Sequence, residues 1–423
     1  MRNRPGSVRL VAFASLIGTT IEWYDFFLYG TAAALVFNRL YFPTFDPRMG
    51  TLAAFATYTV GFVARPIGGI VIGHYGDRVG RKSMLVLTLM IMGIATFCIG
   101  LLPTYEQIGL WSAVALVVLR TAQGFGVGGE WGGAVLMAVE HAPGHARGFY
   151  GSWPQIGVPA GLLLSTAVFA LAASLPEDQF LSWGWRIPFL LSIVLVGVGL
   201  IIRLRIIESP AFTRIKRERG EARQPVVEVL RTHPKEVLLA MGARVADNSS
   251  FYVYTVFLLV YGTQKVGLDR QIVLNAILIG SACMLPAIPF CGALSDRVGR
   301  RPVYLFGAGF TVLFAYPLFW LIDTASPPLV WLALAIALAV AHAPMYGPQA
   351  AFLAELFGTR VRYSGASLGA QLSTVLAGGL SPFIATALLP YGRGALASYL
   401  IVMALVSIAA VFLASETRHR TLG

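Results

Sequence analysis

Long apolar runs, each of membrane-crossing length and parted by short polar turns, constrain this chain more than any other feature. A bilayer core takes roughly 20 apolar residues per helical crossing. Loop signals place candidate spans near 10–37, 51–73, 83–102, 109–138, 150–173 and 186–203. After a polar stretch, further spans follow near 237–261, 272–294, 303–322, 329–348, 363–389 and 395–414. That makes about twelve crossings and leaves little chain for a soluble domain. The runs are continuous, unlike the alternating ten-residue segments of a membrane barrel, so the expected fold class is an all-α membrane protein. Composition agrees: only 12% of the 423 residues are charged, about half the usual fraction of a soluble chain.

The net charge of +12 does not point to nucleic acid. The basic residues sit in short loops between apolar runs, and no basic, aromatic-interleaved patch is present. With the N-terminus inside, 23 of the 32 basic residues fall on inward segments and 6 on outward ones, as the positive-inside rule requires. Both termini are therefore expected in the cytoplasm. Arg2, Arg4 and Arg9 precede an apolar run that resembles a signal peptide, but the run reaches full spanning length and reads as an uncleaved first crossing. Cys98, Cys283 and Cys291 all fall inside spans, with no paired spacing for a disulfide framework or a metal site. No cofactor is expected.

The stretch from Arg203 to Lys235 is the one sizeable polar segment. It reads as a cytoplasmic linker, with anionic-lipid binding as a second reading. The expected division is an N-terminal six-helix bundle over 1–203, a linker over 204–236 and a C-terminal six-helix bundle over 237–423.

A repeat supports that division. Gly73-His74-Tyr75-Gly76-Asp77-Arg78-Val79-Gly80-Arg81-Lys82 recurs as Gly292-Ala293-Leu294-Ser295-Asp296-Arg297-Val298-Gly299-Arg300-Arg301. Each copy joins the second and third spans of its half. Glu140 and Arg147 after span four find counterparts in Glu355 and Arg360 after span ten. Such a parallel repeat is the architecture of transporters that rock about a midplane site. The motif glycines allow a tight turn between helices. Asp77, Arg78, Arg81, Asp296, Arg297 and Arg300 can pair with Glu140, Arg147, Glu355 and Arg360 to make a cytoplasmic gate. Simple positive-inside anchoring is the blander reading, but it would not require the acidic members.

With these motifs in place, the chain resembles the major facilitator superfamily over nearly its whole length. Within it, the chain resembles the metabolite:proton symporter family, whose members carry organic acids such as shikimate, α-ketoglutarate and citrate, or proline and betaine. The strings that carry this are Glu22-Trp23-Tyr24-Asp25-Phe26, Gly61-Phe62-Val63-Ala64-Arg65-Pro66, Arg120-Thr121-Ala122-Gln123-Gly124 and Glu355-Leu356-Phe357-Gly358-Thr359-Arg360. Arg244, Asp247 and Tyr261-Gly262-Thr263-Gln264 look most like the shikimate-carrying branch. The resemblance implies alternating access and import of a small polar metabolite with a proton.

Ionisable groups at membrane depth are functional candidates by default. Here they are Glu22, Asp25, Arg65, Arg120, Glu130, Arg244 and Asp247. Glu22 and Asp25 are three apart and share a helix face. Close carboxylates cannot both ionise cheaply, so one is expected to hold the coupling proton. In related transporters an acid on helix one faces the arginine of the fourth-helix motif, which implies an Asp25–Arg120 pair. A permanently ionised pair locking helices one and four is the static alternative. Arg65 either contacts substrate or neutralises Glu22 or Asp25.

Arg244, Asp247, Asn248 and Tyr252 in span seven suit recognition of a carboxylate and hydroxyls, with Arg giving bidentate contacts. An intrahelical ion pair is the alternative. Gln155, Tyr346, Gln349 and Gln371 are further cavity candidates. The glycines from Gly124 to Gly133 form a small-residue face for close helix approach; they follow no strand and carry no Gly-Lys-Ser/Thr, so they are no nucleotide loop. Four other readings remain. A proline or betaine symporter would need an aromatic cage, to which Trp23, Tyr24, Phe26 and Tyr252 could contribute. A drug-efflux antiporter shares the fold but would not call for Arg244 with Asp247. An enzyme lacks a nucleophile–base set, and a channel lacks a filter repeat. A monomer suffices.

Overall fold

The computed structural model describes residues 5–79, 81–128, 142–205, 231–357 and 362–420, together with 135, 138, 139 and 229. Side chains at 5–15, 73–83, 85, 202–205 and 362–364 lie outside the description.

Long helices account for nearly all of the described chain. In the first half they are α1 (5–40), α2 (Pro47–Val79), α3 (Arg81–Leu101), α4 (Leu110–Gly128), α5 (Arg147–Ala173) and α6 (Ile187–Arg205). The second half holds α7 (234–266), α8 (Arg270–Val298), α9 (Arg300–Asp323), α10 (Pro327–Leu356), α11 (362–388) and α12 (Gly392–Leu413). No strand occurs among the described residues. The apolar runs dictate this outcome, because a helix satisfies its own backbone where lipid offers no partner.

Two observed lengths differ from the sequence reading. α7 runs past the expected end at 261 through a π-helical turn, Tyr261–Val266. α10 runs on to Leu356 and so takes Glu355 into its last turn rather than into a loop. The expected continuation of span four beyond Gly128, and most of the linker, lie outside the described residues.

Packing repeats between the halves. α1 lies on α5 as α7 lies on α11, α2 on α4 as α8 on α10, and α3 on α6 as α9 on α12. A π-helical turn interrupts α1 at Ala33–Phe37 and α7 at Val253–Phe257, corresponding points of the two halves. The halves meet chiefly through α5 against α8 and α10, and through α2 against α11.

Small residues set the closest approaches. A Cβ added at Gly124 would lie 1.9 Å from the carbonyl oxygen of Gly61, so α2 and α4 pack backbone to backbone only because both positions are glycine. At the half-to-half seam, a Cβ on Gly148 of α5 would meet the carbonyl oxygen of Gly292 of α8 at 2.4 Å.

Candidate substrate and proton-coupling site

α1, α2, α7, α10 and α11 turn polar side chains inward around a central cavity lined by Trp23, Arg65, Arg244, Asp247, Asn248, Tyr252, His342, Tyr346 and Gln371, with apolar neighbours between them. The cavity measures about 40 Å³, room for a few waters at about 10–15 Å³ each and not for a metabolite. It is shut at both ends. Toward the motif end, α5 closes on α8 and Gln155 Nε2 donates to the Tyr346 carbonyl at 2.5 Å. Toward the opposite end, Thr59 Oγ1 of α2 donates to the Gly379 carbonyl of α11 at 2.7 Å. The rings of Phe62 and Tyr252 meet edge to face, 5.1 Å apart.

Arg65 is the dominant charge of the N-terminal side. It is 3% exposed, and its guanidinium stands over Phe26 at 4.1 Å, Phe62 at 4.5 Å and Trp23 at 5.4 Å. Cation–π contact with desolvated rings stabilises a charge by about 2 kcal/mol. Arg65 Nε and Nη2 have no hydrogen-bond partner among the described residues. No ion pair joins Arg65 to Glu22 or Asp25 among those residues, so of its two expected roles the neutralising one is not seen in this conformation.

The C-terminal side is a connected cluster. Arg244 Nη2 lies 3.4 Å from Asp247 Oδ2, and Gln349 Nε2 donates to the same oxygen at 2.8 Å. His342 Nε2 lies 3.5 Å from Asp247 Oδ1, its ring packed on Phe251 and Tyr346. Asn248 reaches back to the Arg244 carbonyl and across to Ser373. Asp247 is therefore both a cavity carboxylate and the hub that holds Arg244 in place.

Some expected residues are placed otherwise. Gln155 and Gln349 do not line the cavity. They are 1% and 0% exposed and spend their amides on Tyr346 and Asp247, so they position neighbours. Tyr24 turns away from the cavity to donate to the Pro188 carbonyl. The Asp25–Arg120 ion pair is not formed. Arg120 sits over Phe26, Tyr29 and Tyr58, and donates to Gln123 Oε1 at 3.0 Å. Asp25 is 1% exposed, and its Oδ1 has no hydrogen-bond partner among the described residues. The reason is rotation: neighbours on a helix are turned about 100° apart, so Phe26 and not Asp25 lies under the Arg120 guanidinium. Glu22 is buried; Glu130 lies outside the described residues. His342, absent from the sequence-based set, had one signal: a single titratable side chain inside the apolar run of α10.

The motif end carries a buried charge network. Asp296 accepts from the backbone N–H groups of Gly148 at 2.8 Å and Phe149 at 2.9 Å, capping α5 from the other half. Arg300 donates to Asp296 at 2.7 Å and to both oxygens of Glu355 at 3.2 Å. Arg147 Nη1 comes within 3.9 Å of Glu355. Arg297 is exposed and stands outside this network. Glu140 and Arg360 lie outside the described residues, as do the side chains of Asp77, Arg78 and Arg81. The segment after α12 joins in without having been foreseen: Thr417 Oγ1 donates to Glu355 at 2.7 Å, and Glu416 accepts from the N–H groups of Arg300 and Arg301. Burial alone would raise the Glu416 carboxyl, but the N–H groups of Arg300, Arg418, Arg301 and Thr417 outweigh it and hold it below the usual carboxylate range.

The Major Facilitator Superfamily profile matches residues 15–382 and 281–422. The chain belongs to the major facilitator superfamily. Within the superfamily it is 45% identical over 420 residues to the shikimate transporter of Escherichia coli (strain K12), covering 97% of this chain and 95% of that one. It is 41% identical to the inner membrane metabolite transport protein YhjE of the same organism, over 97% and 95% of the two chains. It is 36% identical to the proline/betaine transporter of that organism, over 99% and 85%. Among solved structures, a D-xylose-proton symporter shares the fold with a TM-score of 0.72 at 19% identity, over 98% and 99% of the two chains. The chain is thus a multi-pass membrane transporter of this superfamily and not an enzyme.

Proposed function

We propose that this transporter imports a small hydroxylated organic acid, of the shikimate kind, together with a proton. The observation that carries the reading is the charge of the cavity. Two arginines line it, Arg65 and Arg244, against one carboxylate among the described lining residues, Asp247, which is already engaged by Arg244 and Gln349. Arg65 offers two nitrogens, Nε and Nη2, without a hydrogen-bond partner among the described residues, and a carboxylate gains most from such a charge-assisted contact in a desolvated space. Asn248, His342 and Tyr346 supply groups for hydroxyls. The 45% identity to a shikimate transporter points the same way.

The osmolyte alternative asks for open aromatic faces around a quaternary ammonium. Here the faces of Phe26 and Phe62 are covered by the guanidinium groups of Arg65 and Arg120, and a second cation there would be repelled. Asp25 is the proton carrier in this reading, with Glu22 as the alternative. The two halves, 1–203 and 237–423, rock about the cavity, with the motif end in the cytoplasm of a bacterial inner membrane and one chain as the working unit.

Uptake into proteoliposomes under an inward proton gradient tests the reading with shikimate, α-ketoglutarate, citrate, proline and betaine in parallel. Accumulation of shikimate that collapses with the gradient, and falls at least tenfold in Arg65→Gln, is expected. Uptake of proline or betaine with the acids excluded would replace the organic-acid reading by the osmolyte one.

A further inference from the structure

The cavity carboxylate of Asp247 faces a different nitrogen group at each oxygen. Oδ2 accepts from the Gln349 amide at 2.8 Å and has Arg244 Nη2 at 3.4 Å. Oδ1 accepts no hydrogen bond among the described residues, and His342 Nε2 stands 3.5 Å from it. The Arg244 and His342 approaches are both longer than the roughly 2.7–2.9 Å of a settled charge-assisted hydrogen bond. A small shift therefore decides which of the two Asp247 serves. The side chains of Asp247 and His342 are each 2% exposed, so bulk water does not screen that choice.

His342 closes a π-helical turn of α10, Ala337–His342, and such turns collect at functional sites. Its ring lies 4.9 Å from that of Phe251 and stacks on Tyr346 at 5.3 Å. Aromatic faces beside a carboxylate are surroundings that hold an imidazolium. A neutral imidazole leaves Asp247 to Arg244. An imidazolium draws on the one negative charge of Asp247 and repels the guanidinium, which turns Arg244 toward the cavity it lines. The same proton adds a positive charge to a lining that receives a carboxylate. Both effects run in one direction, so proton and anion each strengthen the binding of the other.

We propose that His342 is a proton-binding residue of the substrate site, sharing Asp247 with Arg244 so that its proton and an organic-acid carboxylate bind together. The proposal rests on the organic-acid reading and not on which acid of α1 carries the transported proton. The ionisable groups around His342 come from several helices. α7 brings Arg244, Asp247 and Tyr252, α10 brings Tyr346, and α2 brings Arg65 to the same lining. α1 brings Trp23, with Glu22 and Asp25 close to it in the chain. α8 and α9 pack directly on the π-helical turn. Around that level, residues 281–291 of α8 and 305–315 of α9 carry no charged side chain. Their nearest ionisable groups are Cys283, Cys291 and Tyr304, the last bound to the Ala243 carbonyl. α4, α5 and α11 contribute uncharged lining.

The test is a magnetic-resonance titration of the full chain in nanodiscs with nitrogen-15 histidine. His342 is one of six histidines, and its signal is assigned by its loss in His342→Gln and in His342→Phe. The second variant keeps a ring between Phe251 and Tyr346 should the first fail to fold. Saturating shikimate should raise the His342 midpoint by about one pH unit, and by linkage shikimate affinity should fall about tenfold as pH rises from about 5 to 8. Both variants should lose most of that fall. A His342 midpoint that shikimate leaves unmoved or lowers overturns the role of His342, as does a variant that binds shikimate with the wild-type pH dependence. Failure of shikimate, α-ketoglutarate and citrate to bind at any pH overturns the organic-acid reading, and this role with it.

Discussion

α5 and α8 run side by side in opposite directions across the half-to-half seam, and α8 caps α5 at both ends by different means. At the motif end, Asp296 closes the N-terminal amides of α5 inside a network where Arg300 and Glu355 have side chains 1% and 0% exposed. At the opposite end, Arg270 donates to the carbonyls of Ala173 at 2.8 and 3.0 Å and of Leu175 at 3.1 Å. Its guanidinium rests 4.4 Å over Phe180, and Gln271 adds a bond to the Ala170 carbonyl. Both caps match the dipole of α5, a carboxylate at its N-terminus and a cation at its C-terminus. Their surroundings differ. Arg270 is partly exposed, and its acidic neighbour Glu177 is mostly in solvent. Water can replace the Arg270 contacts as they break, whereas at the motif end a broken contact strands a buried charge.

The sharpest way to break this comparison is Asp296→Ala. It uncaps two amides and takes one of the two carboxylates from the buried Arg300, a loss of the order of 3–5 kcal/mol for a buried pair. Uptake should fall more than tenfold. Alkylation of the buried Cys291, followed in a Cys98→Ser, Cys283→Ser background, should accelerate as the motif end opens. Glu355→Gln keeps the shape but removes the charge facing Arg300 and Arg147. It should give the same signature, smaller, with uptake down several-fold. Arg270→Ala should cost about 1–2 kcal/mol and open the other end instead: labelling of an Ala170→Cys reporter should rise while Cys291 labelling stays unchanged. Equal effects of Asp296→Ala and Arg270→Ala on both reporters would erase the distinction between the ends.

The smallest effect concerns pH. The Glu416 carboxyl is held below its ordinary value, so its contribution is complete above the unfolded pKa and is lost as pH falls through the folded one. Relative to an unfolded control at the same pH, which removes the fall in thiolate on acidification, Cys291 labelling in the wild type should therefore rise below the ordinary carboxylate range. Glu416→Gln should be faster at neutral pH and flatter across that range.

The motif-end network was largely legible because its parts repeat: Asp296, Arg300, Arg147 and Glu355 stand in strings that occur twice. Its last members were not, since nothing in Glu416-Thr417 announces that the chain folds back onto the start of α9. The cavity was half legible. Arg65, Arg244, Asp247, Asn248 and Tyr252 stood out as polar side chains in apolar runs, and all line it. Periodicity shows which residues share a face but not which helix that face meets. The Asp25–Arg120 pair, implied by the resemblance, is not formed: Arg120 lies over Phe26 and donates to Gln123 instead. Gln155 and Gln349 stand beside the cavity rather than in its lining for a related reason: a buried amide serves backbone and carboxylate neighbours as readily as a ligand.

The closed cavity has a consequence for how affinity is measured. A space of about 40 Å³ admits no metabolite, so any binding experiment begins with the halves parting. The apparent dissociation constant is then the intrinsic one divided by the fraction of molecules open on the face being probed. Loosening one latch should tighten apparent binding from that face without altering a single ligand contact. A dissociation constant measured from one side of the membrane is therefore partly a reading of the latch that guards it.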